Sequence, residues 1–90
     1  MKTILILKRK KMNKSGYNDA FAEGLGVELK DINEDLEFNS IEEWDSIGHM
    51  GLIAALEESL DISFETDDIV EYSSYKKGIE ILKKYNVEIE

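Results

Sequence analysis

The most informative segment of the chain is DSIGHMGLIAALEESL, residues 45–60. Asp45 and Ser46 at its start are both favoured N-caps, and from Ile47 to Leu60 no residue interrupts a helix except two glycines. Apolar side chains recur on most sides of this helix, which is typical of a helix at the centre of a bundle. The segment therefore predicts a buried central helix.

A shorter helix is predicted before it. Tyr17, Phe21 and Leu25 follow one another at four-residue spacing and form one apolar stripe. Gly24 and Gly26 end this helix, because glycine readily adopts the left-handed conformation that closes a helix. The candidate caps at its start are Asn13 and Ser15.

Residues 28–43 form a predicted long loop between these two helices. Irregularly spaced apolar residues pin this loop to the core, namely Leu29, Ile32, Leu36, Phe38 and Ile41. A loop of this length in a compact domain is uncommon and often functional.

Two further helices are predicted after the central one. Residues 62–64 alternate like a strand but are too few to find a partner, so we expect an extended link. Residues 66–68 cap a helix of one turn, and Ser73 or Ser74 caps a last helix that continues to Tyr85. The pattern predicts an all-α fold, a small four-helix bundle of three main helices and one short helix.

The composition bounds the class of protein. Ninety residues make one small domain, and the absence of Cys excludes a disulfide framework, a Cys-ligated zinc site and a cysteine nucleophile. A sole histidine, His49, argues against a multi-histidine metal site and a Ser/His triad. A formal net charge of −9 argues against nucleic-acid binding, which needs a basic face. No apolar run approaches the ~20 residues that span a bilayer, so we expect a cytoplasmic protein that meets no membrane.

The charge is divided between a basic leader and an acidic body. Residues 1–14 hold six basic side chains and no acid, whereas residues 15–90 hold five basic and twenty acidic ones, a net of −15. We expect residues 1–14 to be a flexible leader and residues 15–90 to form the domain. In an alternative interpretation, the natural protein starts at Met12 and residues 1–11 are an upstream extension. The acidic body is either a solvated face or a surface that meets basic partner proteins.

Ser46 is the candidate functional residue. A serine at the mouth of a helix, after an exposed loop, has an accessible hydroxyl beside unpaired N–H groups and the positive end of the helix dipole. Such a position favours a phosphate ester on the serine. A purely structural interpretation, in which Asp45 and Ser46 only cap the helix, explains the same two residues.

The order of these features over residues 17–86 resembles an acyl carrier protein of the phosphopantetheine-binding class. The resemblance rests on a helix that ends in LGV (25–27), a long acidic loop, DSI (45–47) at the family's Asp-Ser-Leu-type attachment site, and an apolar helix that ends in AALEE (54–58). It implies a 4′-phosphopantetheine arm, taken from coenzyme A and esterified to Ser46. The arm would carry acyl or aminoacyl groups as thioesters in fatty-acid, other lipid or polyketide biosynthesis, and the protein itself would not be an enzyme.

The resemblance also implies partners and site residues. The partners are a phosphopantetheinyl transferase and acyl- or aminoacyl-loading and acyl-transfer enzymes with basic docking patches, and the carrier is a monomer. The implied recognition residues are Asp45, Ile47, Met50, Glu57 and Glu58. The implied acyl pocket, whose residues plain core packing also explains, is lined by Phe38, Ile53, Leu56, Phe64, Ile69 and Tyr72.

Some residues near Ser46 depart from the pattern of fatty-acid carriers. Gly48 and Gly51 stand where many of those carriers have acids, which indicates a specialised carrier outside fatty-acid synthesis. We also expect the two glycines to permit close approach of a partner or of the arm. We expect Trp44 to be partly exposed, in contact with the loop or a partner. We expect His49 to be a packing or partner-facing residue.

Two alternatives remain open. Residues 31–42 place oxygen-bearing side chains at five ligand positions of an EF-hand calcium loop, but Leu36 stands where that loop needs a glycine. These side chains are Asp31, Asn33, Asp35, Asn39 and Glu42. The other alternative is an acidic protein-interaction adaptor without a prosthetic group.

Overall fold

The computed structural model describes residues 10–90. Within this range the chain forms four α-helices and a pair of short parallel strands. The elements in chain order are β1 (Lys10–Met12), α1 (Lys14–Leu25), a 3₁₀ turn (Leu29–Asp31), α2 (Ser46–Leu60), α3 (Thr66–Glu71), α4 (Tyr75–Lys83) and β2 (Val87–Ile89). The predicted bundle of three main helices and one short helix is confirmed. None of the helices in residues 10–90 is long and apolar enough to cross a membrane.

Helix α1 begins and ends at residues suited to those positions. The side chain of Asn13 accepts a hydrogen bond of 2.8 Å from the backbone N–H of Gly16. At the other end Gly26 adopts a left-handed conformation, with φ of 72°, and its N–H donates to the carbonyl of Ala22. Of the two predicted start caps, Asn13 therefore performs the capping. Of the two predicted stop residues, Gly26 ends the helix, whereas Gly24 lies within it.

Helices α1 and α2 meet at a pair of glycines. A methyl group added at Gly51 would lie 2.5 Å from the carbonyl oxygen of Gly24, and one added at Gly24 would lie 2.6 Å from Cα of Leu52. Both distances are shorter than van der Waals contact, so the crossing requires glycine on both helices. The close approach that we expected at Gly51 is therefore made by α1, not by a partner or a prosthetic arm.

An aromatic cluster fills the core between the helices. Tyr72 Oη lies 2.7 Å from Tyr17 Oη, which in turn donates to the carbonyl of Tyr75 at 2.8 Å. All three residues are almost fully buried, and burial raises the pKa of the Tyr17 and Tyr72 hydroxyls well above their ordinary value. Phe21 contacts Tyr17 and Tyr75 through its ring. The hydroxyls of Tyr17 and Tyr72 are thus hydrogen-bonded inside the core, and that of Tyr75 donates to the side chain of Asn18.

The long loop before α2 is held to the rest of the bundle by its backbone. The N–H of Phe38 donates to the carbonyl of Ser73, and the N–H of Tyr75 donates to the carbonyl of Leu36, both at 2.9 Å. Of the five residues expected to pin the loop, Ile32 and Leu36 are buried and Ile41 is partly buried, whereas Leu29 and Phe38 are exposed. The loop therefore lies in a fixed position beside the segment that enters α4.

The strand pair differs from the all-helical expectation. Strand β1 pairs in parallel with β2, with Lys10 opposite Val87 and Met12 opposite Ile89. The N–H of Lys10 donates to the carbonyl of Asn86, and the N–H of Glu90 donates to the carbonyl of Met12. Residues 87–89 alternate apolar and acidic side chains, which is the period of a strand, but their partner lies more than seventy residues away.

The strand pair also bears on the expected leader. Residues 1–9 of that leader lie outside the described residues. The remainder is not irregular, because residues 10–12 form β1 and Lys14 is the first residue of α1. The side chain of Lys10 also donates to the carbonyls of Leu60 and Asp61 at the end of α2. Strand β1 and the first residue of α1 therefore lie within the segment that we expected to be a flexible leader.

Candidate functional site

Ser46 lies at the first position of α2 with a free hydroxyl. The carboxylate of Asp45 caps the helix by accepting a 2.8 Å hydrogen bond from the N–H of Gly48. Ser46 is exposed, and its Oγ makes no hydrogen bond with any residue in 10–90. The two candidate caps of the sequence thus have different roles. Asp45 stabilises the helix, and Ser46 presents a hydroxyl that capping does not use.

Gly48 allows the preceding loop to close tightly against the first turn of α2. A methyl group added at Gly48 would lie 1.9 Å from the carbonyl oxygen of Glu43, so any other residue would push the loop away. The loop itself is fixed by hydrogen bonds from the N–H of Asn39 to the carbonyl of Trp44 and from the N–H of Trp44 to the carbonyl of Ile41. Gly48 therefore helps to hold Ser46 at a defined position on the surface.

The surroundings of Ser46 favour an anionic substituent. The first backbone N–H of α2 to bond within the helix is that of His49, which donates to the carbonyl of Asp45 at 2.8 Å. The N–H groups of Ser46 and Ile47 have no acceptor among the described residues. Unpaired N–H groups and the positive end of the helix dipole stabilise negative charge at this end. A phosphate ester on Ser46 Oγ would lie beside them.

A largely apolar cleft begins at Ser46 and runs between α2 and α3. Its volume is about 480 Å³. Helix α2 contributes Ser46, His49 and Met50 to it, and α3 contributes Ile69 and Val70. The other lining residues are Phe38, Tyr72 and Ser73.

His49 joins the three segments around the cleft. Its Nδ1 accepts a hydrogen bond of 2.9 Å from the indole Nε1 of Trp44, and its Nε2 lies 2.7 Å from the carbonyl oxygen of Ile69. Because the indole is a donor and the carbonyl an acceptor, the ring must be the neutral tautomer that carries its proton on Nε2. His49 is thus a packing residue, one of the two roles expected for it, and it links the loop before α2 to α3.

The expectation for Trp44 was wrong in part. Trp44 contacts the loop, as expected, but it has no exposed surface. Its ring packs edge-on against Phe21 and lies nearly coplanar with the ring of His49, to which the hydrogen bond joins it edge to edge. Burial is possible because His49 accepts the indole N–H, which would otherwise be an unpaired donor in the core.

Helix α3, which forms one wall of the cleft, is anchored to the chain after α4. The Asp68 carboxylate is 4% exposed and accepts hydrogen bonds from Lys84 Nζ at 2.6 Å and Tyr85 Oη at 2.5 Å. Tyr85 Oη also accepts the N–H of Glu65. The hydrogen bond from Lys84, and then that from Tyr85, lowers the pKa of Asp68.

Comparison with known proteins identifies the family of the chain. The model of the family described as "Phosphopantetheine attachment site" matches residues 19–82, more than two thirds of the chain. Neither the curated proteins nor the solved structures gave a match. The chain belongs to the phosphopantetheine attachment site family. Domains of this family are carriers, and their prosthetic group is 4′-phosphopantetheine.

The residues at the start of α2 of this family member fit that group. A phosphodiester needs an accessible hydroxyl, which Ser46 offers, and it gains from the unpaired N–H groups beside it. The cleft that starts at Ser46 provides an apolar surface along which an attached group has room to lie.

The expected recognition residues of the carrier fall into two groups. Ile47 and Met50 are 84% and 53% exposed, and both flank Ser46. Asp45 is exposed, although its carboxylate caps α2. Glu57 accepts the N–H of Phe64 and so has a structural contact, whereas Glu58 is exposed. Glu57 lies eleven positions after Ser46 on the same helix, a distance of about 16 Å along the axis.

The expected acyl pocket of the carrier is divided between the cleft and the core. Phe38, Ile69 and Tyr72 line the cleft. The other three residues, Ile53, Leu56 and Phe64, are buried in the core cluster. Val70 and Ser73, which were not among the expected pocket residues, also line the cleft. Nothing in the pattern distinguished Val70, because α3 is six residues long and its exposed face is set by packing.

The calcium-loop alternative does not match the geometry of residues 31–42. Leu36 points into the core with 4% exposure, and the side chain of Asn33 accepts the N–H of Asp35. Among the described residues, no cluster of three or more His, Cys, Asp or Glu side chains is placed to hold a metal ion. The carboxylates of Asp31, Asp35 and Glu42 therefore do not converge as an EF-hand requires.

Proposed function

We propose that this protein is a non-catalytic carrier whose 4′-phosphopantetheine arm is attached to Ser46 and holds acyl or aminoacyl groups. The observation that carries the proposal is the exposed Ser46 hydroxyl, which has no hydrogen bond to any described residue and stands at the start of α2 in a chain of this family. When attached, the arm supplies a thiol that holds its cargo as a thioester. The chain has no cysteine that would compete for that cargo.

Attachment of the arm is a group transfer at the Ser46 hydroxyl. Ser46 Oγ forms a bond to the phosphorus that bears the pantetheine in coenzyme A, and the pyrophosphate bond breaks. The leaving group is 3′,5′-ADP, and the hydroxyl proton passes to a base of the transferase. Ser46 needs no base of its own, which agrees with the lack of a side-chain partner in residues 10–90.

Docking to partner enzymes uses the surface around the start of α2. Ile47, Met50 and Val70 offer exposed apolar area beside Ser46. Asp45 adds negative charge at this end of α2 and Glu58 adds it near the other end, in a chain whose residues 31–71 contain fourteen acids and no basic side chain. Such a surface suits partners with a basic rim and an apolar centre, and charge complementarity speeds encounter more than it raises affinity.

The experiment is enzymatic loading. The protein is incubated with coenzyme A, Mg²⁺ and a broad-specificity phosphopantetheinyl transferase, and its intact mass and thiol content are then measured. We expect a single adduct and one new thiol, both lost in Ser46→Ala and both retained in Ser59→Ala, which removes another exposed serine of α2. If several transferases give no adduct, the acidic adaptor becomes the better account.

A further inference from the structure

We propose that this carrier holds a compact, apolar acyl group at the surface cleft beside Ser46 and that its core is closed to longer acyl chains. This inference rests on the proposed function, since it concerns the cargo of the arm on Ser46. Three observations carry it: the bridge made by His49, the packing of Tyr72, and the chemistry of the cleft lining.

The bridge made by His49 closes the passage from the cleft toward the core. His49 lines the cleft, and behind it lies Trp44, which has no exposed surface. The two ring nitrogens of His49 bond Trp44 on one side and the carbonyl of Ile69 in α3 on the other. An acyl chain that entered between α2 and α3 at this point would break one of these two hydrogen bonds. Breaking the bond to Trp44 would leave a buried indole N–H unpaired.

Tyr72 closes the floor of the same cleft. Its ring lies directly on Gly78 of α4, where an added methyl group would be 2.2 Å from the Tyr72 hydroxyl. The hydroxyl is bonded to Tyr17, and Phe64 packs edge-on against the ring. Tyr72 therefore cannot shift inward without breaking the core hydrogen bond and displacing α4. Ile53 and Leu56 lie in the buried core cluster with Tyr72, so an acyl chain reaches them by unpacking that cluster.

The cleft lining favours an apolar cargo. Five of its side chains are apolar or aromatic, and none of the lining residues is a carboxylate, a lysine or an arginine. An aminoacyl group would bring an ammonium into a cleft whose lining offers no counter-charge. An acyl group small enough to lie along Phe38, Met50 and Val70 covers apolar surface that is otherwise exposed.

The test measures protection of the thioester as a function of chain length. A transferase loads the full chain from acetyl-, butyryl-, octanoyl- and dodecanoyl-coenzyme A, and intact mass confirms each adduct. The rate of cleavage by hydroxylamine and the midpoint of thermal unfolding are then compared. If an acyl chain spent nine-tenths of its time in the core, cleavage of its thioester would be about tenfold slower. We expect the cleavage rate to change by less than about twofold from acetyl to dodecanoyl. A tenfold slowing, with a rise in the unfolding midpoint, would overturn the proposal.

His49→Ala tests which residue closes the passage. We expect this variant, if far-UV circular dichroism shows it folded, to slow octanoyl thioester cleavage relative to acetyl, whereas Ser59→Ala behaves as the unmodified sequence does. Equal cleavage rates of the octanoyl and acetyl thioesters in folded His49→Ala would overturn the role of His49. Since the main test uses the unmodified sequence, a variant that does not fold leaves the proposal testable. Absence of any adduct would instead count against the proposed function.

Discussion

The indole Nε1 of Trp44 donates a 2.9 Å hydrogen bond to Nδ1 of His49, three residues after Ser46. This contact fixes the tautomer of the imidazole, because Nε2 must then donate to the carbonyl of Ile69. Through one side chain, the loop before α2, the first turns of α2, and α3 are held in a single arrangement. The position of Ser46 and the shape of the cleft both depend on that arrangement.

Removal of the His49 ring should destabilise the protein. In His49→Ala the indole N–H of Trp44 remains buried without an acceptor, which costs about 1–3 kcal/mol of the free energy of unfolding. Urea denaturation followed by Trp44 fluorescence measures this loss. Ser59→Ala, an exposed change on the same helix, should alter the free energy by less than about 0.5 kcal/mol. Equal stability of both variants would show that the hydrogen bond is not formed in solution.

The glycine pair at the α1–α2 crossing should not tolerate alanine. Helix propensity alone favours Ala over Gly by about 0.5–1 kcal/mol, yet Gly51→Ala places a methyl group 2.5 Å from the carbonyl oxygen of Gly24. We expect overpacking to dominate and to destabilise the protein by about 1–3 kcal/mol.

Gly16→Ala is the matched control for that crossing. The nearest atom to a methyl group at Gly16 is Cγ of Met12 at 3.1 Å, in the flexible side chain of a partly buried residue rather than in a backbone. This variant should be neutral or slightly more stable in the same denaturation experiment. If Gly51→Ala were as stable as Gly16→Ala, the close helix crossing would be wrong.

Acid should weaken the link between Asp68 and its partners. The pKa of Asp68 lies below its ordinary value of 3.8 because Lys84 and Tyr85 donate to the carboxylate. A lowered carboxyl pKa in the folded state contributes stability above the unfolded pKa, and that stability is lost as the pH falls through the folded pKa. Asp68→Asn should therefore flatten the loss of stability between about pH 5 and pH 2.

Glu34→Gln is the control for the acid titration. The pKa of Glu34 is also lowered, by a hydrogen bond from Lys14 at 2.6 Å, but both side chains are more than half exposed. An exposed pair contributes little to stability, so this variant should leave the acid-unfolding curve nearly unchanged. If Glu34→Gln changed the acid-unfolding curve more than Asp68→Asn did, the role of Asp68 in stabilising the protein above its pKa would be contradicted.

Lys10 should contribute more to the free energy of unfolding than its neighbour Lys11. Lys10 donates to the carbonyls of Leu60 and Asp61 at the negative end of α2, a favourable contact of about 0.3–1 kcal/mol. Lys11 instead pairs with Glu90 at 3.5 Å on the surface, where such pairs contribute little. Chemical denaturation of Lys10→Ala and Lys11→Ala measures the difference, and equal midpoints would argue against the contact with α2.

Local patterns predicted the helices well because their ends depend on local residues. The carboxylate of Asp45 and the left-handed Gly26 perform the capping and stopping that their residue types favour. The strands were missed because β1 and β2 are three residues each and pair across most of the chain. No local pattern states which distant segment will be the partner.

The site was predicted less completely than the fold. The exposure of Ser46 follows from its place at a helix start, whereas the burial of Trp44 depends on an acceptor that His49 provides only in the folded state. Likewise, apolar spacing does not separate Phe38, at the cleft, from Leu56, in the core. Each distinction arises from tertiary contacts and not from the residue type.

Localisation of the pantetheine adduct tests the central claim most directly. Trypsin releases residues 31–76 as one peptide, which carries Ser46 together with other serines, including Ser40 and Ser59. After loading from coenzyme A, tandem mass spectrometry of this peptide should place the adduct on Ser46 alone, with none in Ser46→Ala. An adduct on another serine, or its persistence in Ser46→Ala, would contradict the assignment of the attachment site.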